Sequence, residues 1–136
     1  MHRLTLALQQ ARLRHVWPQL ECQVQRGVLT CRGTVRPSPL ARDYVIRLEY
    51  RLGSPPKISV ESPPLERRSP EDRIPHVYSL DGDRPCLYYP ESDEWRADKW
   101  LALTIMPWIL LWLFFYEIWL ATGEWLGEGI EHHGAK

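Results

Sequence analysis

An uncharged, tryptophan-rich segment near the C-terminal end restricts the folding of this chain more than any other part of it. The sequence has no Asp, Glu, Lys or Arg from Trp100 to Tyr116, and six of its seven tryptophans lie between Trp95 and Trp125. Such a segment either crosses a membrane or is buried in protein. Pro107 suits a first helical turn and Gly123 a helix end, which predicts a helix over residues 107–122. That helix is roughly 24 Å long, shorter than the ~30 Å hydrocarbon layer, so we expect a buried or partner-facing helix.

The aromatic residues of this predicted helix follow helical spacing, at Trp108, Trp112, Phe115 and Trp119. Core packing is one interpretation. A docking surface for another protein is the other, because a helix that is apolar all round exceeds what one small core needs. The sequence leaves both open.

Length, charge and cysteine content exclude several classes of protein. A chain of 136 residues fits one domain, and 17 basic residues balance 17 acidic ones, which gives no reason to expect nucleic acid or an anionic membrane as a partner. The three cysteines, Cys22, Cys31 and Cys86, form neither a disulfide framework nor a zinc-binding spacing. The N-terminus has no signal-peptide pattern, so we expect a cytoplasmic protein.

The first 61 residues are typical of one helix followed by an antiparallel meander, which predicts an α+β fold. Leu4, Leu8, Ala11 and His15 are spaced to form the apolar face of a helix that ends before Pro18. Four strand-like runs follow, at residues 20–25, 28–35, 44–52 and 57–61, and Arg26-Gly27 offers a turn between the first two.

Residues 62–90 form a long segment rich in proline and charge, with Cys86 near its end. A segment of this length without periodicity is either disordered or functional. Its apolar and aromatic residues favour an ordered, functional loop packed on the sheet.

The order of these elements resembles the ubiquitin-conjugating enzymes. That family carries a His-Pro-Asn tripeptide, an Ile-Cys-Leu-Asp segment, a tryptophan and an Ala-Leu-Thr-Ile run. The corresponding residues here are His76-Val77-Tyr78, Pro85-Cys86-Leu87-Tyr88, Trp95 and Ala102-Leu103-Thr104-Ile105, and the interval of ten positions from His76 to Cys86 matches the family's own. The resemblance covers Leu4 to Gly127. It implies a conjugating-enzyme-like domain over residues 1–127 and leaves residues 128–136 as a polar tail.

The chain is most similar to a prokaryotic branch, the stand-alone conjugating-enzyme-like proteins of CBASS antiphage operons. The signature of that branch resembles Pro75-His76-Val77-Tyr78, Cys86-Leu87-Tyr88 and the Trp-rich run from Pro107 to Gly123. This resemblance implies a cGAS-like nucleotidyltransferase as partner, whose C-terminal residue would become thioester-linked to Cys86. The acyl group would come from an adenylating activating enzyme or from an adenylated precursor. It implies a regulatory role in second-messenger synthesis, and no metal or organic cofactor.

The resemblance makes Cys86 the expected nucleophile of an acyl carrier. A carrier needs a thiolate that attacks an activated acyl group and then leaves when an acceptor arrives, and cysteine suits both steps. Arg84 and His76 would lower the pKa of the Cys86 thiol if they fold close to it. Without its matching neighbours, this thiol would be interpreted as inert and buried.

His76 and Tyr78 complete the predicted catalytic set, and each has two interpretations. His76 is either a buttress of the loop or an acid–base group. Tyr78 stands where the family has its asparagine, and it either donates a hydrogen bond to an oxyanion or packs. The absence of the asparagine is expected to impair isopeptide formation on lysine more than thioester formation. Asp81 and Asp83 would either orient an incoming amine or form a turn around Gly82.

The remaining candidates have plainer interpretations. Cys22 and Cys31 flank the Arg26-Gly27 turn symmetrically and are expected to be core thiols rather than a bridge. His132 and His133 are expected to be tail residues. Two other functions stay open: a catalytically silent adaptor that binds through the Trp-rich helix, and a membrane-anchored effector that uses Trp100 to Leu120.

Overall fold

The computed structural model describes residues 3–78, 84–88 and 94–127, and within them it shows an α+β fold. One helix precedes a four-stranded sheet, a short two-stranded ribbon follows, and a long helix ends the domain. The elements are α1 (Leu6–Val16), β1 (Glu21–Gln25), β2 (Val28–Val35), β3 (Tyr44–Tyr50), β4 (Lys57–Ser62), β5 (Val77–Tyr78), β6 (Arg84–Pro85), a 3-10 helix (Leu101–Leu103) and α2 (Ile105–Thr122).

The four-stranded sheet is an antiparallel meander in the order β1-β2-β3-β4, as predicted. β1 and β2 join through a two-residue turn in which Arg26 has φ 52° and Gly27 has φ 76°, the conformation that matches the twist of a tight hairpin. This register places Cys22 directly opposite Cys31. Both are buried free thiols, as expected.

The buried face of the sheet packs against the C-terminal helix. Alternate residues of β3 point inward, namely Tyr44, Ile46, Leu48 and Tyr50. Tyr44 meets the Tyr116 ring edge-on at 6.4 Å, and its hydroxyl donates to Glu117 Oε2 at 2.6 Å. The one acidic side chain within α2 is therefore bonded to the sheet.

The predicted apolar face of α1 is wrong. Leu8, Ala11 and His15 are exposed, whereas Gln9 and Leu13 are the residues that α1 buries. The Gln9 side chain donates to the Lys99 carbonyl and accepts from the Leu101 N–H, both at 2.9 Å. A buried glutamine that satisfies main-chain groups turns the helix away from the orientation that apolar spacing indicates.

Helix α2 begins two residues before the predicted start, after the 3-10 turn, and ends at Thr122 before Gly123, as predicted. Gly123 has φ 86°, the left-handed conformation common at helix ends. By length and composition alone, Leu101–Thr122 could cross a membrane, with 44% of its most apolar window buried in the protein. Its buried face joins the core, through Ile105, Met106, Ile109, Trp112, Leu113, Tyr116 and Trp119.

The first half of the proline-rich segment is ordered and held against α2. The Glu66 N–H donates to the Tyr116 hydroxyl at 2.6 Å, and Arg68 Nε donates to the Leu120 carbonyl at 3.4 Å. Ile74 is buried in the core. These contacts carry the chain along the helix to β5, where the candidate site begins.

Candidate active site

A ribbon of two short strands brings the three sequence-predicted site residues together. β5 pairs antiparallel with β6, so that Val77 faces Pro85 and Tyr78 faces Arg84. The pairing continues one step further, because the Cys86 N–H donates to the His76 carbonyl at 2.8 Å. Cys86 therefore lies beside His76 in a fixed main-chain register.

His76 fixes the geometry of the loop through its main chain. Its φ of 56° lies in the left-handed region, which costs a residue with a side chain about 1–2 kcal/mol. Its carbonyl also accepts from Trp112 Nε1 at 3.0 Å, and its ring packs against Trp125 with 5.0 Å between centroids. A strained conformation held by this many contacts is typical of functional sites. These contacts favour the buttress interpretation of His76.

The Cys86 thiol is buried, with only 4% of the residue exposed. Burial raises the pKa of Cys86 to about 12, while the Arg84 charge and a hydrogen bond from the Tyr78 side chain act in the opposite direction. In this conformation the thiol is therefore protonated at neutral pH. The Arg84 guanidinium and the Tyr78 hydroxyl, which both favour the thiolate, already lie close to the Cys86 sulfur.

Tyr78 lies between Cys86 and Arg84. Its hydroxyl hydrogen-bonds the Cys86 sulfur, and the Arg84 guanidinium sits over its ring at 4.5 Å from the centroid. Burial, followed by the proximity of Cys86, raises the pKa of Tyr78 to about 12, so the phenol keeps its proton and remains a donor. A proton donor at the sulfur is also well placed for an oxyanion that forms on an acyl group bound there.

A cavity of about 250 Å³ opens beside the thiol. Its walls come from the ribbon around His76 and Cys86, from Glu94, from one side of α2 and from the residues that follow α2. The lining residues are His76, Cys86, Leu87, Glu94, Trp108, Leu111, Trp112, Phe115, Trp125 and Gly127. Cys86 is the one cysteine among these lining residues.

The other family-like residues support the fold rather than the thiol. Trp95 packs edge-on against Tyr50 with ring centroids 5.3 Å apart. Ala102 is buried, and its carbonyl accepts from Trp17 Nε1 at 2.8 Å. The Ala-Leu-Thr-Ile run thus provides the 3-10 turn and the start of α2.

Several sequence predictions lie outside the described residues. These are the two interpretations of Asp81 and Asp83 around Gly82, and the assignment of His132 and His133 to a tail over residues 128–136. Within the ranges that are described, no group of three or more His, Cys, Asp or Glu side chains could hold a metal ion.

Sequence reasoning missed Trp125, which contacts His76, Trp112 and Phe115 with centroid distances of 5.0, 5.4 and 6.2 Å. Its position two residues after the helix-ending Gly123 gives no periodic signal. The available hint is compositional, since a tryptophan in a short polar segment is rarely left in solvent.

A helix, a four-stranded meander, a cysteine-bearing ribbon and a C-terminal helix define the fold of the ubiquitin-conjugating class, the E2-like proteins. Within that class, the model of the Type II CBASS E2 protein family matches residues 9–133, so the chain belongs to that family. A search of curated proteins found no match. Membership places the protein in CBASS antiphage systems and makes it conjugating-enzyme-like.

Proposed function

We propose that this protein is an acyl carrier that forms a thioester through Cys86. The observation that carries the proposal is the constellation around the sulfur: a hydrogen bond from Tyr78, the nearby charge of Arg84, and an adjoining cavity. A structural cysteine needs none of these groups.

The chemistry follows from this arrangement. Cys86 loses its proton and attacks an activated acyl carbon, and the resulting oxyanion accepts a hydrogen bond from the Tyr78 hydroxyl. Collapse expels the leaving group and leaves the acyl chain on sulfur. Arg84 stabilises the thiolate in the first step and again when an acceptor displaces it. His76 holds the loop through its carbonyl.

The proposed donor is the C-terminus of a cGAS-like nucleotidyltransferase, delivered by an adenylating activating enzyme or as an adenylated precursor. Support comes from membership in the Type II CBASS E2 protein family. In this role the protein regulates second-messenger synthesis in the cytoplasm and uses no metal or organic cofactor.

Intact-mass spectrometry of the protein purified with its operon partners tests the carrier function. We expect an adduct that hydroxylamine releases and that Cys86→Ala abolishes. Cys22→Ala is the matched control, because it removes a buried thiol far from the ribbon in sequence and should keep the adduct. An adduct that persists in Cys86→Ala would refute the assignment.

A silent adaptor is the second candidate, favoured by large apolar side chains left exposed on and beside α2. Leu103 and Leu111 are 52% and 53% exposed, and Phe114 is 39% exposed. An adaptor would bind its partner equally well with Cys86→Ala and would carry no adduct in any variant. Co-purification of the partner with both chains, followed by intact mass, separates the two functions.

A membrane-anchored effector is the third candidate, favoured by the length and hydropathy of Leu101–Thr122. Such an effector would stay in the membrane fraction after carbonate extraction. Recovery of the chain in the soluble fraction would exclude that role.

A further inference from the structure

We propose that Trp112 is a positioning residue for the Cys86 thiol, and that it acts from helix α2 through the main-chain carbonyl of His76. This inference rests on the proposed carrier function. It gives the core of α2 a role in the reaction, beyond its packing on the sheet.

The His76 carbonyl accepts two hydrogen bonds, one from the active-site ribbon and one from α2. The Cys86 N–H donates to it at 2.8 Å, and Trp112 Nε1 donates to it at 3.0 Å. A carbonyl oxygen has two lone pairs, so these two bonds together satisfy it. The Cys86 main chain and the Trp112 side chain are therefore held at the same oxygen atom.

The packing of Trp112 leaves its N–H little freedom to choose another partner. The residue is only 5% exposed, and its indole lies nearly parallel to the Tyr116 ring, with 5.5 Å between centroids and 9° between planes. A buried indole N–H that lost its acceptor would carry the full cost of its desolvation, so this bond is kept. Because Trp112 belongs to the hydrophobic core, the core fixes the direction of the His76 carbonyl.

The ribbon by itself is too short to fix that carbonyl. Its strands have two residues each, and an isolated pair of strands is marginally stable in water. His76 has a φ of 56°, an unfavourable conformation that relaxes unless surrounding contacts hold it. Loss of the Trp112 bond therefore frees the His76 peptide group to rotate. Rotation would disturb the Cys86 main chain and the alignment of its sulfur with the Tyr78 hydroxyl.

Helix α2 offers two matched controls. The Tyr116 hydroxyl, one turn further along the helix, accepts from the Glu66 N–H at 2.6 Å. Tyr116→Phe therefore removes a hydrogen bond between α2 and the main chain while leaving the His76 carbonyl unchanged. Trp119 is another buried tryptophan of this helix, 6% exposed, and its ring centroid lies 6.2 Å from that of Tyr116. Trp119→Phe reproduces the loss of ring volume.

Two reactions of the Cys86 sulfur are measured by mass spectrometry and compared as a ratio. In the first, the thiolate attacks the carbonyl of an acetylated, glycine-terminated tetrapeptide thioester of 2-mercaptoethanesulfonate. A carbon–sulfur bond forms to Sγ, the bond to mercaptoethanesulfonate breaks, and the released thiolate takes up the proton that Cys86 lost. In the second, iodoacetamide alkylates the same sulfur without forming an oxyanion.

The loading rate divided by the alkylation rate is the quantity of interest. The division removes changes in the thiolate fraction of Cys86, because both reactions depend on that fraction. The ratio then reports the alignment of the sulfur with the Tyr78 hydroxyl, which only loading needs. A residue that merely stabilises the fold does not change it.

We expect Trp112→Phe to lower the ratio about threefold to tenfold, which is the effect of losing one hydrogen bond. Tyr116→Phe and Trp119→Phe should keep the wild-type ratio, even where their melting temperatures fall as far. Replacement of Trp112 by β-(3-benzothienyl)alanine keeps the bicyclic ring and exchanges the N–H for sulfur. It should lower the ratio as much as Trp112→Phe does, with less change in packing, and thermal melts show which variants remain folded.

A double substitution tests whether Trp112 acts through the alignment of Cys86 with Tyr78. Tyr78→Phe should lower the ratio at least about tenfold in the wild type, because a donor to the oxyanion is lost. In the Trp112→Phe background, the same substitution should lower the ratio by a factor about threefold smaller, since the donor is already misaligned. Fully additive effects would overturn the positioning role.

The outcomes separate the positioning role from the carrier function. Loading with an unchanged ratio in a folded Trp112 variant would overturn the positioning role while leaving the thioester intact. An equal fall in Trp112→Phe and in both controls would do the same. Absence of loading in the wild type would overturn the carrier function, and the positioning role with it. Loading that survives in Cys86→Ala would place the chemistry elsewhere and also refute both.

Discussion

Alkylation of Cys86 by iodoacetamide should depend on pH in a way that reports the surroundings of the thiol. Burial raises the pKa of Cys86 to about 12. A thiol with that pKa is ionised to about one part in 10⁴ at pH 8, against about one part in four for an ordinary cysteine. The thiolate fraction of Cys86 at pH 8 is then roughly 2,000-fold smaller than that of an ordinary cysteine. The greater nucleophilicity of a more basic thiolate restores about 40-fold of this. Because only 4% of Cys86 is exposed, limited access slows the reaction further, and we expect a rate at least about 60-fold below that of a free cysteine.

Two substitutions should lower that rate further. The Arg84 charge and the Tyr78 hydrogen bond both lower the pKa of Cys86 against the effect of burial. Arg84→Gln and Tyr78→Phe each remove one of these groups, so the pKa rises and the thiolate fraction at pH 8 falls. Arg84→Lys keeps the positive charge and is the matched control, with a rate between those of wild type and Arg84→Gln.

The assay follows modification of the Cys86 peptide by mass spectrometry from pH 7 to pH 10, which distinguishes it from Cys22 and Cys31. Because the thiol stays far below half ionisation, the rate should rise about tenfold per pH unit throughout this range. A plateau below pH 9, or faster alkylation in both Arg84→Gln and Tyr78→Phe, would refute the electrostatic argument.

Three further outcomes follow from the fold. His76→Gly should be about 1 kcal/mol more stable than His76→Ala in thermal or urea unfolding. Both variants lose the imidazole ring, but only glycine adopts a φ of 56° without strain. The reverse order of stability would contradict a strained conformation at this position. Gln9→Leu should lower the free energy of unfolding by about 1–3 kcal/mol, since it leaves the buried Leu101 N–H without its acceptor; an unchanged urea midpoint would contradict this. Glutathione disulfide should join Cys22 to Cys31 with the loss of two hydrogens in intact mass, because directly opposite residues lie within the reach of a disulfide. Cys31→Ser should show no such loss, and its absence from the wild type would contradict the register.

The sheet could be predicted from the sequence because its signals are local. β2 has the predicted bounds, and β3 and β4 differ from their predicted bounds by one or two residues at one end. The prediction succeeds because alternating burial and flanking turns depend on residues that are neighbours in the sequence. The face of α1 could not be predicted, because the amide of Gln9 finds its partners about ninety positions away in the chain. Contacts between residues so far apart in the chain do not produce a periodic pattern in the sequence.

The site was predicted only in outline. Cys86, His76 and Tyr78 could be placed by their spacing and their resemblance to a known family, and the structure brings them together. The ribbon of two-residue strands is too short to give an alternating pattern. The cavity depends on where Trp125 folds back, which depends on packing against rings from a helix rather than on nearby sequence.

The hydrogen bond from the Cys86 N–H to the His76 carbonyl bears on how long an acyl group stays on the sulfur. Hydrolytic enzymes commonly use a main-chain N–H near the nucleophile to stabilise the charge that develops when water attacks the carbonyl. Here the Cys86 N–H already donates to the His76 carbonyl, so it does not stabilise the oxyanion that forms when water attacks. In the proposed carrier, the contact that positions Cys86 would therefore also slow hydrolysis of a thioester on its sulfur, which suits a protein that must hold an acyl group until an acceptor arrives.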